Sequence, residues 1–328
     1  GGPQAAHNVV LENGLAHTFS QFGSGYFAGA KTFLSRFCAF DPVGALNEAV
    51  HLAVMLDDKR AFKDNLFVDK ESVVITPYHK AINRLREFSR EAHVHGSTGI
   101  GFGEAIADSE ANQPTLRVKH LVSKEWLTDQ LTLVHAHQMT KLGALRLDRL
   151  PARGDVGLME LRRLTQYPVE VAEKMFTSFK TLGAVSVDHN FIQEVVQDTS
   201  VFEGAQGVLL DQVHGFFPYV TRSNTTFKNA ETLILESILG SGNPVEMEKV
   251  GVIRTYHTRH GAGPFPSEDR SLDPKKFDSF NGSESFAGRF RVGHFDYQMF
   301  KYALRVVGGV DNLSITPTAN LPNNERIA

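Results

Sequence analysis

Segments with the apolar spacing of helices alternate with short strand-like runs along this chain. Apolar side chains recur at helical spacing in four segments, residues 43–55, 81–92, 123–146 and 295–307. Strand-like apolar runs occur at residues 31–40, 66–75, 201–202, 251–257 and 313–315. Because such alternation gives parallel strands covered by helices, the predicted fold class is α/β, with a mainly parallel central sheet flanked by helices.

Three local signals refine this outline. Ser123 stands directly before the longest helical segment, where its hydroxyl can cap free N–H groups, with Trp126 and the leucines facing inward. Two shorter helices are predicted on either side of Pro168. The polar stretch 267–285 contains few core residues, so a mobile loop is predicted there.

Length and composition exclude several classes of protein. A chain of 328 residues can form one large α/β domain or two smaller ones. A formal charge of −3 gives no electrostatic case for binding nucleic acid. Cys38 is the single cysteine, which fits a reducing cytoplasm. No apolar stretch approaches the roughly 18 residues that cross a membrane. These features favour a cytoplasmic protein with small-molecule ligands.

The most informative run covers residues 201–226 and reads VFEGAQGVLLDQVHGFFPYVTRSNTT. An apolar triplet leads into a glycine-rich turn, an acidic histidine-containing turn, an aromatic run and a polar cluster. Amides and hydroxyls at the ends of two short buried strands suit a polar planar ligand, such as a purine base and its phosphate. The run therefore predicts a nucleotide pocket.

The same run resembles, nearly residue for residue, the EGAQG…DxxHGTYPxVTSSNTT signature of adenylosuccinate synthetases. The resemblance extends over nearly the whole chain, and it implies one synthetase-like domain over residues 1–328. It also implies that Gln206 contacts the purine during catalysis and that Thr221 contacts the nucleotide phosphate. Arg222 replaces a serine of the common signature. It is either an extra cation near the phosphate or a solvated surface residue.

The chain opens on GGPQAAHN, a turn of small residues that holds His7. Such a turn allows close approach of a ligand to an imidazole that can act as an acid or donor. It resembles the family motif GGPNAGHT, with Gln4, Ala6 and Asn8 as departures. The resemblance implies that His7 polarises or protonates the purine O6. It also implies that the main-chain carbonyl of Ala6 helps to ligate Mg²⁺.

A second glycine-rich loop, GSTGIG, spans residues 96–101. Successive small residues expose N–H groups that can cradle a phosphate, which makes Ser97, Thr98 and Gly99 candidate ligands. The loop resembles the family's GTTGRGIG, with Ile100 in place of arginine, and its GSTG form is associated with the phage branch. Arg117 resembles a family arginine that reaches the nucleotide phosphate of the partner subunit, which implies a homodimer.

Arg289 and Arg291 lie two residues apart between glycines, an arrangement suited to bidentate capture of carboxylates. Their segment resembles TTGRxRRxGWxD, the aspartate-binding loop of the family. Phe286 and Ala287 replace its two threonines, so hydroxyl contacts are not expected. Residues 258–268 resemble TRVGEGPFPTE, a loop near the ribose, with His260 in place of valine.

Two landmarks of the family do not occur in this sequence. The nucleotide loop GDEGKGK would precede Gly1, so this sequence is predicted to lack the N-terminal nucleotide loop of the protein; a pseudoenzyme without this loop is the minor alternative. The guanine-reading TKLD is replaced by Thr316-Pro317-Thr318-Ala319. Ala319 cannot accept the guanine hydrogen bonds, at a cost of about 1–3 kcal/mol. ATP or dATP is therefore expected as the phosphoryl donor.

The resemblance is greatest to the phage 2-aminodeoxyadenylosuccinate synthase branch of the family. It implies a Mg²⁺-dependent ligase that condenses L-aspartate with C6 of dGMP through a 6-phosphoryl intermediate, for diaminopurine DNA synthesis in the host cytoplasm. The alternative is an ordinary adenylosuccinate synthetase that uses IMP and GTP. An alternative of another class is a nucleotide-binding homologue without catalytic activity.

Overall fold

A computed structural model describes residues 1–57, 65–90, 95–145, 154–196, 199–278 and 286–316. The α-helices described are α1 Pro42–Met55, α2 Pro77–Ser89, α3 Phe102–Glu110, α4 Lys124–Gly143, α5 Gly154–Leu164, α6 Pro168–Leu182, α7 Ile192–Val195, α8 Lys228–Ser241, α9 Pro274–Phe277 and α10 Tyr297–Val307. The strands described are β1 His7–Val10, β2 Ala16–Phe19, β3 Thr32–Leu34, β4 Ala39–Phe40, β5 Leu66–Asp69, β6 Val73–Val74, β7 Val185–Val187, β8 Val250–Arg254, β9 Tyr256–His260, β10 Phe290–His294 and β11 Asn312–Thr316.

Parallel pairing dominates the strands of the described residues. β5 lies between β3 and β7 in a three-stranded parallel sheet. The pairs β4–β6 and β8–β11 are also parallel, whereas β1–β2 and β9–β10 are antiparallel. The predicted α/β class is confirmed. In the described part its strands form several small sheets, the largest having three strands.

The main hydrophobic core lies between the β3–β5–β7 sheet and helices α1, α2, α4 and α6. Tyr78, Phe40, Leu52, Leu85 and Leu127 are among its fully buried members. Burying a side chain of this size stabilises the fold by about 1.5–3 kcal/mol. In the described residues, no helix combines the length and apolarity needed to cross a membrane.

The predicted helices are present, with two corrections. The Ser123 hydroxyl accepts from the Trp126 N–H at 3.3 Å, which confirms the cap of α4. Trp126 was expected to face inward, but it is 44% exposed and packs edge-on against His120. Leu127 is buried instead, because one residue along a helix turns the side chain by about 100°. Helix α2 begins at Pro77 rather than at residue 81, because Thr76 caps it.

Several strand predictions were wrong, including the one at the start of the glycine-rich run, residues 201–226. Residues 201–202 were expected to form a buried strand, but Val201 is 88% exposed and neither residue belongs to a strand. The segment 251–257 divides at Thr255 into β8 and β9, which pair with different partners. Residues 267–278, expected to be mobile, include α9, and the Phe277 carbonyl accepts from the Tyr256 hydroxyl at 2.9 Å. Residues 279–285 lie outside the described residues.

Candidate functional site

Three of the predicted loops touch through the main chain of glycines. A Cβ added to Gly96 would lie 3.3 Å from the Gly261 Cα and 3.1 Å from the Ala287 carbonyl oxygen. A Cβ added to Gly288 would lie 3.1 Å from the Gly261 Cα. These spacings leave little or no room for side chains at the contact. The sequence therefore allows three loops to meet at one point. They are residues 96–101, called here the phosphate loop after its predicted ligand, residues 258–268, the ribose loop, and residues 287–293, the arginine loop.

The glycine-rich run joins this meeting point through Tyr219. The Arg259 guanidinium donates to the Tyr219 carbonyl at 3.0 Å and lies 5.9 Å from the centre of its ring. The His95 ring packs edge-on against the same tyrosine, with 5.7 Å between centroids. Arg259 also donates to the Ala262 carbonyl at 2.9 Å. One aromatic side chain and one buried arginine thus hold three motif-bearing segments together, and the segment of Arg289 joins them through the glycine contact.

Helix α2 holds the phosphate loop in shape. The Glu87 carboxylate accepts from the His95 and Gly96 N–H groups, each at 3.1 Å. The Asn83 side chain donates to the Ser97 hydroxyl at 3.0 Å and accepts from the Gly101 N–H at 3.2 Å. Within the described chain, the N–H groups of residues 97–100 have no hydrogen-bond partner. Such a run of free donors is suited to an anion.

His7 is paired with a carboxylate that the sequence analysis did not single out. Its Nδ1 lies 3.0 Å from Glu203 Oε1. The other carboxylate oxygen of Glu203 accepts from the Ser24 N–H at 3.2 Å. Partial burial would raise the pKa of Glu203, but the bonds from His7 and Ser24 outweigh it and lower the pKa to about 2. Glu203 is therefore ionised at neutral pH and fixes the imidazole.

Gln206 lies in a conformation that side chains rarely adopt. Its φ is +66°, in the left-handed region, which costs a non-glycine residue about 1–2 kcal/mol. The residue is exposed, and its amide has no hydrogen-bond partner among the described residues. Backbone strain of this kind is found at ligand sites. The geometry is compatible with the predicted purine contact.

A buried aspartate closes the glycine-rich run into a compact loop. Asp211 is fully buried, and its carboxylate accepts from the N–H groups of Val213 at 2.9 Å, His214 at 3.1 Å and Thr225 at 2.7 Å. These bonds outweigh the effect of burial and lower the pKa of Asp211. Thr221 is tied to the same loop, because its N–H donates to the Leu210 carbonyl at 2.8 Å.

Two predicted phosphate contacts are engaged in other interactions. Arg222 is 53% exposed and forms an ion pair with Glu110 at 2.9 Å, which corresponds to the surface alternative. The Arg117 guanidinium donates to the main-chain carbonyl of Glu71 and, at 3.1 Å, to the Ser109 hydroxyl. Both arginines hold neighbouring elements of their own chain.

The two arginines of the predicted aspartate loop converge on one carboxylate. Arg289 donates to Glu268 Oε1 at 2.9 Å, and Arg291 donates to Glu268 Oε2. Arg291 also donates to the carbonyls of Gly261 and Gly263, each at 3.0 Å. Its side chain is only 15% exposed, whereas that of Arg289 is 62% exposed. Arg291 therefore braces the ribose loop, and Arg289 is the arginine open to a ligand.

Phe286 and Ala287, which replace the family's threonines, have packing roles. The Phe286 ring contacts Phe88 and lies 5.0 Å from the Arg84 guanidinium. It also covers Gly99, where an added Cβ would come within 2.8 Å of the ring. Ala287 is 4% exposed at the glycine contact. Apolar packing of Phe286 and Ala287 therefore holds the arginine loop at the positions where the family has threonine hydroxyls.

Gln4, which the sequence shows only as a departure from the family motif, has an unusual environment. Both polar atoms of its side-chain amide are buried without a hydrogen-bond partner in the described part of the chain. Leaving such a group unpaired costs about 1–3 kcal/mol. A ligand in this turn could satisfy it. In the sequence this residue was marked by its position in the turn before His7, where the family motif has asparagine.

The remaining predicted ligands are not brought into the site. Pro317, Thr318 and Ala319 lie outside the described residues, and Thr316 ends β11. No group of three or more His, Cys, Asp or Glu residues in the described part could hold a metal ion. Ala6 is exposed and offers only a main-chain oxygen. A lone carbonyl is not by itself a metal site, so the described residues alone do not account for a bound Mg²⁺.

The parallel α/β architecture and the four converging segments define the class, an α/β protein with a loop-built candidate site for small polar ligands. The family model of adenylosuccinate synthetase matches residues 1–328, so the chain belongs to that family.

One relative and two solved structures are similar to this chain. The chain is 30% identical to adenylosuccinate synthetase of Synechococcus elongatus, over 96% of this chain and 66% of the relative. The fully ligated adenylosuccinate synthetase from Plasmodium falciparum has the same fold, with a TM-score of 0.71 at 20% identity over 96% of this chain and 68% of that one. The cyanophage S-2L succinoaminodeoxyadenylate synthetase bound to dGMP and dATP matches with a TM-score of 0.48 at 17% identity, over 95% and 73%. The chain spans just under two thirds of the length of the Synechococcus enzyme.

Proposed function

We propose that this protein is a ligase that joins the amino group of L-aspartate to C6 of a purine nucleotide. The observation that carries the proposal is the contact between the phosphate loop and the arginine loop at Gly96, Gly261 and Ala287. It brings free N–H groups suited to a phosphate close to an exposed arginine suited to a carboxylate. Membership of the adenylosuccinate synthetase family supports the same chemistry.

The proposed reaction has two steps. In the first, the purine O6 attacks the terminal phosphorus of a nucleoside triphosphate, the diphosphate leaves, and the N1 proton of the purine is released. In the second, the aspartate nitrogen bonds to C6 and loses a proton, and phosphate departs with O6. His7 would donate a hydrogen bond to O6, and Arg289 would hold an aspartate carboxylate.

We further propose dGMP as the preferred purine nucleotide and ATP or dATP as the donor. Support comes from the GSTG form of the phosphate loop and from Ala319 at the position of the guanine-reading aspartate. The name of the Synechococcus relative favours the ordinary reaction of IMP with GTP, which is the alternative. Arg222 lends no support to either, because it is ion-paired at the surface.

A competition assay separates the two substrates. The protein is incubated with L-aspartate, Mg²⁺, equal amounts of dGMP and IMP, and either ATP or GTP, and the nucleotides are followed by mass spectrometry. We expect the dGMP adduct to accumulate first, and faster with ATP. Product from IMP alone would refute the dGMP preference and leave the ligase proposal intact. Binding of both nucleotides without any product would favour a non-catalytic homologue.

We also propose that the protein is a cytoplasmic homodimer, as the family resemblance implies. Arg117 is bonded within its own chain and adds no support for a role across an interface. Sedimentation velocity over a range of concentrations tests the assembly state directly. A single monomer species at every concentration would contradict the dimer.

A further inference from the structure

The geometry points to Glu203 as the positioning residue of His7: its carboxylate accepts a hydrogen bond from the Nδ1–H of the imidazole and thereby presents Nε2 to the ligand. The two atoms are 3.0 Å apart, a hydrogen-bond distance. Hydrogen bonding at one ring nitrogen decides which nitrogen carries the proton and how the ring is turned. The role in the reaction rests on the proposed function, whereas the proton position does not.

Glu203 is itself held on its other side. Its second oxygen accepts from the Ser24 N–H at 3.2 Å, at the start of the turn Ser24–Ala28. This turn is itself held in place, because the Gly23 N–H donates to the Thr32 hydroxyl at 2.9 Å. A carboxylate with one oxygen on the backbone and one on an imidazole has little freedom to rotate. Glu203 therefore fixes the His7 ring relative to the turn Ser24–Ala28.

The opposite ring nitrogen is available to a ligand. His7 Nε2 has no hydrogen-bond partner in the described chain, and the side chain is 24% exposed. When the Nδ1–H of an imidazole is hydrogen-bonded to a carboxylate, Nε2 can take up a second proton and donate it to a ligand oxygen. This is the donor that polarisation of the purine O6 requires. Glu203 also lies three residues before Gln206, so one segment supplies both the brace and a proposed purine contact.

The proton position is measured by NMR of protein labelled with ¹⁵N-histidine, without substrate. Spectra are recorded under conditions in which the two ring nitrogens give the distinct shifts of a neutral imidazole. We expect His7 to carry its proton on Nδ1 in the wild type and in Glu203→Gln, which keeps an acceptor oxygen. In Glu203→Leu, which has none, the proton should move to Nε2. Resonances are assigned by loss of the signal in His7→Asn.

Wild-type protein alone can overturn the inference: a neutral His7 protonated on Nε2 would do so, even if the leucine variant fails to fold. The same proton position in wild type and a folded Glu203→Leu protein would also contradict it. Glu173→Leu, which removes an exposed carboxylate paired with Lys124, is the matched control and should leave His7 unchanged.

Kinetics then test the consequence for the proposed reaction. We expect Glu203→Leu to lower kcat by about 10- to 100-fold, the usual effect of removing a partner that orients a histidine. KM values should stay within about twofold, because no ligand contact is removed. A raised KM with unchanged kcat would contradict a positioning role. Absence of ligase activity in the wild type would refute the proposed function, while the NMR result would still decide the proton position.

Discussion

Gly99 is a residue at which backbone conformation and packing act together. Its φ is +70°, and an added Cβ would lie 2.8 Å from the Phe286 ring. We expect Gly99→Ala to reduce the free energy of unfolding by about 1–3 kcal/mol, because both the left-handed conformation and the overlap are unfavourable. Urea unfolding measures the change.

Gly103→Ala is the matched control for this substitution. Gly103 lies in helix α3, and an added Cβ would meet nothing within 4 Å. Alanine there should raise the free energy of unfolding by about 0.5–1 kcal/mol. Equal effects of the two substitutions would show that the contact at Gly99 does not shape the loop.

Arg289 and Arg291 should differ in what they contribute. Arg289 is exposed and, within the described residues, its guanidinium pairs with the Glu268 carboxylate alone, so Arg289→Leu should leave stability unchanged. It should raise the KM for aspartate about 10- to 100-fold, the equivalent of one charge-assisted hydrogen bond. Arg291→Leu should instead lower the free energy of unfolding by about 1–3 kcal/mol, because it strips donors from two loop carbonyls. Steady-state kinetics and urea unfolding of both variants separate the roles, and identical behaviour would refute the distinction.

Candidate site residues could be named from the sequence where a motif is local, and their roles stay predictions. His7, Gln206 and Arg289 lie in contiguous motifs. Glu203 and Asp211 occur in the same run, yet they were passed over. The reason is physical: the partners of Glu203 are His7 and Ser24, far away in the chain, and only the fold brings them together. The different roles of Arg289 and Arg291 likewise depend on which main-chain carbonyls lie near each guanidinium, and the fold decides this.

At the scale of elements, helices α2, α3 and α4 share a buried polar cluster. Asp108 on α3 accepts from Gln138 at 2.7 Å, contacts Lys141 at 2.5 Å and lies 3.5 Å from His79 Nε2. His79 is fully buried and also completes the capping box of α2 with Thr76. The cluster fixes the helix that carries Glu87, Asn83 and Arg84 to the phosphate loop.

Burial makes this cluster sensitive to acid. Desolvation outweighs the nearby Asp108 and lowers the pKa of His79 below its ordinary value of 6.5. As pH falls below 6.5, the unfolded chain takes up a proton that the folded protein does not. Stability is therefore complete above this pH and declines below it. His79→Gln keeps the capping box and has no titrating ring, so the free energy of unfolding should depend less on pH between about 7 and 5.

Urea unfolding of both proteins at a series of pH values checks this expectation. His189→Gln, at an exposed histidine, is the control and should follow the wild type. An unchanged slope in His79→Gln would mean that His79 does not govern the loss. A loss of stability in that variant at neutral pH alone would indicate packing rather than titration.

Elements were predictable where their signals are local. The apolar spacing of α4 and its Ser123 cap both lie within one segment, and the helix begins where the cap places it. Residues 201–202 were apolar enough for a strand, but a strand exists only where another edge accepts its hydrogen bonds. No described strand lies alongside them. The break at Thr255 could not be seen in the sequence either. It separates β8, which pairs with β11 after α10, from β9, which pairs with β10 before α10.

For the whole molecule, the candidate site is a point where distant segments meet rather than a feature of one element. Ligands that bridge these loops should therefore stabilise the fold as a unit. At a nucleotide concentration of 100 times Kd, we expect the free energy of unfolding to rise by about 2.7 kcal/mol. Urea unfolding with and without dGMP or IMP measures this. Stabilisation by neither nucleotide would count against a purine site.

The central claim is that O6 of the purine is activated by phosphorylation and leaves with the phosphate. A nucleotide labelled with ¹⁸O at C6, incubated with L-aspartate, Mg²⁺ and the triphosphate donor, tests it directly. We predict one ¹⁸O atom in each phosphate released and an aspartate nitrogen on C6 of the product. Phosphate free of the label, or label retained in the nucleotide product, would contradict the account.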